Sequence, residues 1–151
     1  MKSLWSDKEA KDLSGVDLVA YTSRLIGANP NLVLWGGGNS SIKMTGTDHK
    51  GARAEILWIK GSGSDMRTIE PRHFTPLRLN DLLPLIDRDA MSDEAMVDYQ
   101  MKSVLNPKAP KPSIETLLHA FLPHRHIYHT HADAICTLTD TANSREVIEE
   151  V

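Results

Sequence analysis

Between Leu32 and Ser64 the chain runs three short β-prone segments into two glycine breaks, and this pattern limits its fold most strongly. Leu32-Val33-Leu34-Trp35 is fully apolar, as a buried strand is. Gly36-Gly37-Gly38-Asn39 interrupts it, and Ser40 to Thr45 can pair as a second strand. Gly46-Thr47-Asp48-His49-Lys50-Gly51 is a turn by composition. Ala54 to Lys60 supplies a third strand, closed by Gly61-Ser62-Gly63-Ser64. Strands joined by links this short pair antiparallel, because a parallel return needs a crossover of about a dozen residues or more.

Helical patterns flank these strands. Val16, Val19, Ala20 and Ser23 follow i, i+3, i+4, i+7 and predict a helix over Asp12 to Ile26, stopped by Gly27-Ala28-Asn29-Pro30. The charged, aperiodic residues 1–11 read as a flexible N-terminal arm before a domain spanning 12–151. Phe74 to Leu79 is extended by pattern, and Asn80 can cap a short helix that Pro84 disturbs. Ser92 is a good N-cap for a helix through Met96, Val97 and Met101 to about Leu105. Three prolines make Asn106 to Pro112 a linker, after which Ser113 can cap a helix from Ile114 to about Leu122. His126 to His131 reads as a strand, and Asn143 with Glu146 as a capping box for a last helix. Interleaved helices and strands make the class α/β or α+β, with α/β expected and an antiparallel sheet covered by helices.

Composition excludes several functions. A net charge of -3 argues against a globally basic nucleic-acid binder. No run approaches the roughly 18 apolar residues that span a bilayer. The one cysteine, Cys136, excludes an internal disulfide and suits a reducing compartment. With no apolar run near Met1, a cytoplasmic location is expected.

Seven histidines are many for 151 residues, and five fall between His119 and His131. His129-Thr130-His131 is the sharpest signal: on a strand, residues i and i+2 share a face, so two imidazoles can hold one transition-metal ion, zinc first. Against this stands a plain pair of unrelated histidines, but Ile127, Ala132, Ala134 and Ile135 predict a place near the core. Glu115, in a first helical turn after the linker, is a candidate base or third ligand, or simply helix-stabilising. His119, four residues on, shares its helix face and either lines the site or packs. The two glycine loops can approach an anion with N–H groups and hydroxyls, with Lys60 adding charge; the plainer alternative is two hairpin turns. Neither loop has the Gly-Lys-Ser/Thr ending or the Gly-x-Gly-x-x-Gly spacing of a nucleotide site.

Gly-Gly-Gly-Asn-Ser-Ser, Leu-Trp-Ile-Lys-Gly-Ser-Gly-Ser-Asp-Met, Pro-Ser-Ile-Glu and His-Thr-His-Ala-Asp-Ala-Ile occur in that order. From about Leu13 to Val151 this resembles the class II aldolase/adducin family, most closely the aldolase part of bifunctional rhamnulose-1-phosphate aldolase/alcohol dehydrogenases. The resemblance implies a three-layer α/β/α fold with a mostly antiparallel central sheet. It implies zinc-dependent cleavage of a ketose 1-phosphate to dihydroxyacetone phosphate and an aldehyde. His129 and His131 match two metal ligands, and Glu115 the acid/base glutamate. Asn39, Ser62, Gly63 and Ser113 match the loops that hold the phosphate and ketose. The family's third metal-binding histidine, its last strands and a C-terminal tyrosine acid have no counterpart here. The expectation is therefore a fold incomplete at its C-terminus, as the N-terminal portion of such an enzyme or a shortened homologue, with low activity.

Two other functions stay open at this level: a sugar-phosphate 4-epimerase or dehydratase on the same scaffold, and a non-catalytic, adducin-like interaction module. The expected partners are a sugar phosphate and further copies of the chain, a tetramer in the family, with neither nucleic acid nor membrane.

Overall fold

The structure, a computed structural model, describes residues 3–150. Four strands form one sheet: β1 (Asn39–Thr47), β2 (Arg53–Lys60), β3 (Phe74–Arg78) and β4 (His126–His129). Their spatial order is β3-β2-β1-β4, and every neighbouring pair is antiparallel. Pro76 is tolerated because β3 is an edge, where a missing N–H costs no ladder bond.

Alternation along the strands divides the core into two faces. Ile42 of β1 and Phe74 of β3 pack with Val19 and Ala20 of α2 (Gly15–Gly27). Leu57 and Ile59 of β2 and Leu77 of β3 pack on the opposite face. There they meet α3 (Leu79–Leu82) and Ala120 of α5 (Thr116–Phe121). Helices on both faces of the sheet give the three-layer arrangement. Each fully buried Leu, Ile or Phe contributes roughly 1.5–3 kcal/mol, so both layers are firmly held. The helix α4 (Asp93–Ser103) is capped as expected, with Ser92 Oγ accepting from the Ala95 N–H at 3.2 Å.

Several sequence expectations need correction. The run Leu32 to Trp35 is no strand: Leu34 is 53 % and Trp35 82 % exposed, and only Val33 is buried. Its place beside β1 is taken by β4, so the run crosses the end of the sheet as turns. The N-terminal segment carries a helical turn, α1 (Asp7–Ala10). The Ser6 N–H there donates to Tyr21 Oη at 3.0 Å, and Trp5 packs edge-on against the Tyr21 ring. Helix α2 starts at Gly15 rather than Asp12. A helix absent from the sequence reading, α6 (Asp133–Thr139), follows β4 and precedes α7 (Ser144–Glu149). Asn143 makes no side-chain cap bond there, so the capping box does not form.

The proline-rich linker is pinned to the sheet. The Ser62 N–H donates to Lys111 O at 2.8 Å, and Thr75 Oγ1 to Pro110 O at 2.7 Å. This docking carries Ser113 and Glu115 to the second glycine loop.

Candidate active site

The register of β1 and β4 fixes the first half of the site. Asn39 stands opposite His129, so both face the α5 layer. Glu115 occupies the N-cap position of α5, one residue before the helix, not its first turn. Its N–H donates to Ser113 Oγ at 3.3 Å, which fixes how Pro-Ser-Ile-Glu enters the helix.

Glu115 Oε1 lies 3.2 Å from His129 Nδ1, and the His129 and His131 ring centroids are 4.8 Å apart. One ligand atom each from Glu115, His129 and His131 fall within 4.8 Å of one another. His131 lies just past the end of β4 and is exposed. Its N–H donates to Leu32 O at 2.9 Å, which brings it back beside His129. Of the apolar neighbours expected to bury the pair, Ile127 is buried, but Ala134 and Ile135 are exposed.

The second half is a cavity of about 170 Å³ between the glycine loops and the Ser113–Glu115 segment. Asn39, Ser62, Gly63 and Ser113 all line it, and so do Glu115 and His131. All the residues singled out in the sequence thus converge, with His129 adjoining through Glu115. Gly38 shapes the junction. It adopts φ +64°, and a Cβ there would stand 2.8 Å from the His129 carbonyl oxygen.

Two residues play larger parts than the sequence suggested. Lys60 is buried, yet its ammonium donates to Gly36 O at 3.1 Å and Ser64 O at 2.7 Å, tying both glycine loops together. Burial lowers its pKa, while the Glu115 and Asp65 carboxylates act to raise it. His119 is fully buried, with Nδ1 2.7 Å from Ser41 Oγ. Burial above all, then electrostatic interaction with His129 and with Lys43, pushes its pKa down to about 4, so it is neutral at pH 7.

The donor set fits a divalent ion. The 3.2 Å between His129 Nδ1 and Glu115 Oε1 is close to the roughly 3.3 Å between two ligands of one tetrahedral zinc, given bond lengths of about 2.0–2.2 Å. His129 Nδ1 is also buried and makes no hydrogen bond, facing only the Glu115 carboxylate, the condition of a nitrogen shaped for a ligand.

Known proteins resemble this chain in sequence and fold. A protein from Bacillus subtilis (strain 168) named "Uncharacterized oxidoreductase YuxG" is 45% identical over 152 residues, which cover 100% of this chain and 22% of that protein. The chain therefore spans about a fifth of that relative's length. The solved N-terminal class II aldolase domain of a conserved protein from Thermoplasma acidophilum is 49% identical. It superposes with a TM-score of 0.88 over 99% of this chain and 69% of the solved one. The profile described as "Class II Aldolase and Adducin N-terminal domain" matches residues 17–150. With this fold, these loops and this match over most of its length, the chain belongs to the class II aldolase and adducin family.

Proposed function

We propose that this chain provides the zinc-holding and phosphate-holding part of an aldolase that cleaves a ketose 1-phosphate, of the rhamnulose 1-phosphate type. The products are dihydroxyacetone phosphate and an aldehyde. The supporting observation is the adjacency of two unlike elements. A carboxylate and one imidazole, joined by a second imidazole behind them, form one wall of a small cavity whose other walls are glycine loops bridged by a buried lysine.

Each residue has a role in this reading. His129, His131 and Glu115 would hold the ion and leave a coordination position open. When bound, the ion supplies Lewis-acid polarisation of the ketose carbonyl and its neighbouring hydroxyl. The backbone N–H groups of the glycine loops, the Ser62 and Ser113 hydroxyls and the Lys60 ammonium receive the phosphate dianion. Binding there is remote from the reacting carbons and orients them. The scissile C3–C4 bond would break with its electron pair moving toward C2 as the C4 hydroxyl gives its proton to the Glu115 carboxylate. Glu115 would then return that proton at C3, which completes the dihydroxyacetone phosphate. A sugar phosphate is thus the proposed partner, with the chain assembling as a homo-oligomer.

Metal analysis of the purified chain beside His129→Ala tests the ligand assignment, and equal zinc in both overturns it. Product analysis with rhamnulose 1-phosphate and ribulose 5-phosphate separates cleavage from epimerisation. With Glu115→Gln, cleavage should fall by about 10²-fold or more. Unchanged turnover would refute the acid/base role.

A further inference from the structure

Three polar atoms near the site are buried without a hydrogen-bond partner: Asn39 Oδ1, His119 Nε2 and His129 Nδ1. The last faces Glu115 and belongs to the ligand cluster. The other two are left, and their chemistry is complementary. Asn39 Oδ1 can only accept. His119 Nε2 carries a proton whenever Nδ1 receives one from the Ser41 hydroxyl, 2.7 Å away.

Topology puts this donor and acceptor in one neighbourhood. Asn39 and Ser41 are two apart on β1 and so share the face that meets α5. His119 lies on α5 and is tied to that face through Ser41. Asn39 also lines the anion cavity while remaining 4% exposed. Its carboxamide can present either end to that cavity. With Oδ1 held at the buried side, the Nδ2 hydrogens face the cavity and attract an anion. Flipped, the amide would present a carbonyl oxygen and repel one.

We infer that His119 is a positioning residue: its Nε2–H, through one buried water, holds Asn39 Oδ1 and so keeps the Asn39 amide hydrogens turned to the phosphate. The chain Ser41–His119–Asn39 then sets the polarity of the cavity wall. This deepens, and its affinity arm rests on, the phosphate reading of that cavity. A water bridging the two atoms would end both unmet hydrogen bonds at once.

Two amide replacements separate the ring's two ends. His119→Asn places an amide near the Nδ1 position, for Ser41, and deletes the donor at Nε2. His119→Gln reaches further and restores a donor there. The readouts are the Asn39 side-chain amide resonances of ¹⁵N-labelled chain, assigned with Asn39→Asp, and the affinity for inorganic phosphate.

In His119→Asn the Asn39 pair should shift and exchange faster with solvent, and phosphate should bind about tenfold more weakly. His119→Gln should restore the resonances and recover affinity to within about threefold of the parent, on the same hydrogen-bond scale. Unchanged Asn39 resonances in a folded His119→Asn overturn the inference. So do equal losses in both variants that track a lowered melting temperature, since a purely structural histidine would behave in that way. Should His119→Asn not fold, Ser41→Ala frees the ring and must disturb the same resonances. If the parent chain binds no phosphate, the phosphate reading fails, while the Asn39 resonances still decide the role of His119.

Discussion

Gly38 packs the anion loop against the strand that bears His129, so a single methyl group there tests the geometry. The substitution is Gly38→Ala. The residue sits at φ +64°, where a Cβ costs about 1–2 kcal/mol through contact with the following carbonyl. The new methyl would also lie 2.8 Å from His129 O, 3.0 Å from Val33 Cγ2 and 3.1 Å from Met66 Sδ. The nearest of these is backbone, so the β4 end must move. Overpacking of this kind costs about 1–3 kcal/mol. Alanine also restricts the unfolded chain, which returns about 0.4–1 kcal/mol. The net loss is about 2–4 kcal/mol, or roughly 4–16 °C in melting temperature for a domain of this size. Gly63→Ala is the matched control: its φ is +76°, but nothing lies within 4 Å of the added Cβ. It should cost at most about 1.5 kcal/mol, the strain less the unfolded-state gain. Thermal unfolding by circular dichroism, with zinc titration of each variant, reads both effects. Gly38→Ala should melt well below Gly63→Ala and bind zinc more weakly. Equal melting temperatures would refute the claim that the close approach to β4 matters.

Acid stability and the strained loop give two further predictions. His119 has its pKa pushed down to about 4 against an ordinary 6.5, so between those pH values the unfolded chain holds more protons. Its contribution to stability is complete above pH 6.5 and falls away on acidification toward 4, by about 3 kcal/mol in all. Urea unfolding at pH 7 and 4.5 should show a smaller loss in His119→Gln than in the parent, and parallel losses would contradict this. Trp35 occupies φ +47° with 82 % of its surface exposed, a conformation and a setting that do not suit a bulky residue. Trp35→Asn should raise the urea midpoint, with a gain of about 1 kcal/mol, and a midpoint that stays or falls would mean no strain is stored there.

Local patterns carried much of the fold. The stripe of α2, the cap of α4 and the β-prone run of β2 are properties of neighbouring residues, and the structure places those elements close to where they were read. Leu32 to Trp35 misled because an apolar run does not say which partner it has, and β4 takes the position beside β1. Helix α6 was missed because three of its seven residues are β-branched and it buries none of its side chains. At the site, His-x-His and Pro-Ser-Ile-Glu were visible as spacing, and the structure brings them within ligand distance. Lys60 and His119 depend on partners that no local pattern reveals. The two carbonyls that Lys60 joins lie on separate loops, and His119 meets a serine 78 positions away.

The opposition of Asn39 and His129 across β1 and β4 has a consequence for how this site can fail. Strand pairing admits only whole steps, and a slip by one would turn His129 to the α2 layer and bring Tyr128 to the ligand side. Tyr128 opposes such a slip: its hydroxyl is 2.6 Å from Thr22 Oγ1 on α2, a contact available in one register only. Small disturbances in the loops can therefore weaken the site by degrees. An error in β4 would abolish it in one step, so its ligand geometry behaves as a digital property of the fold.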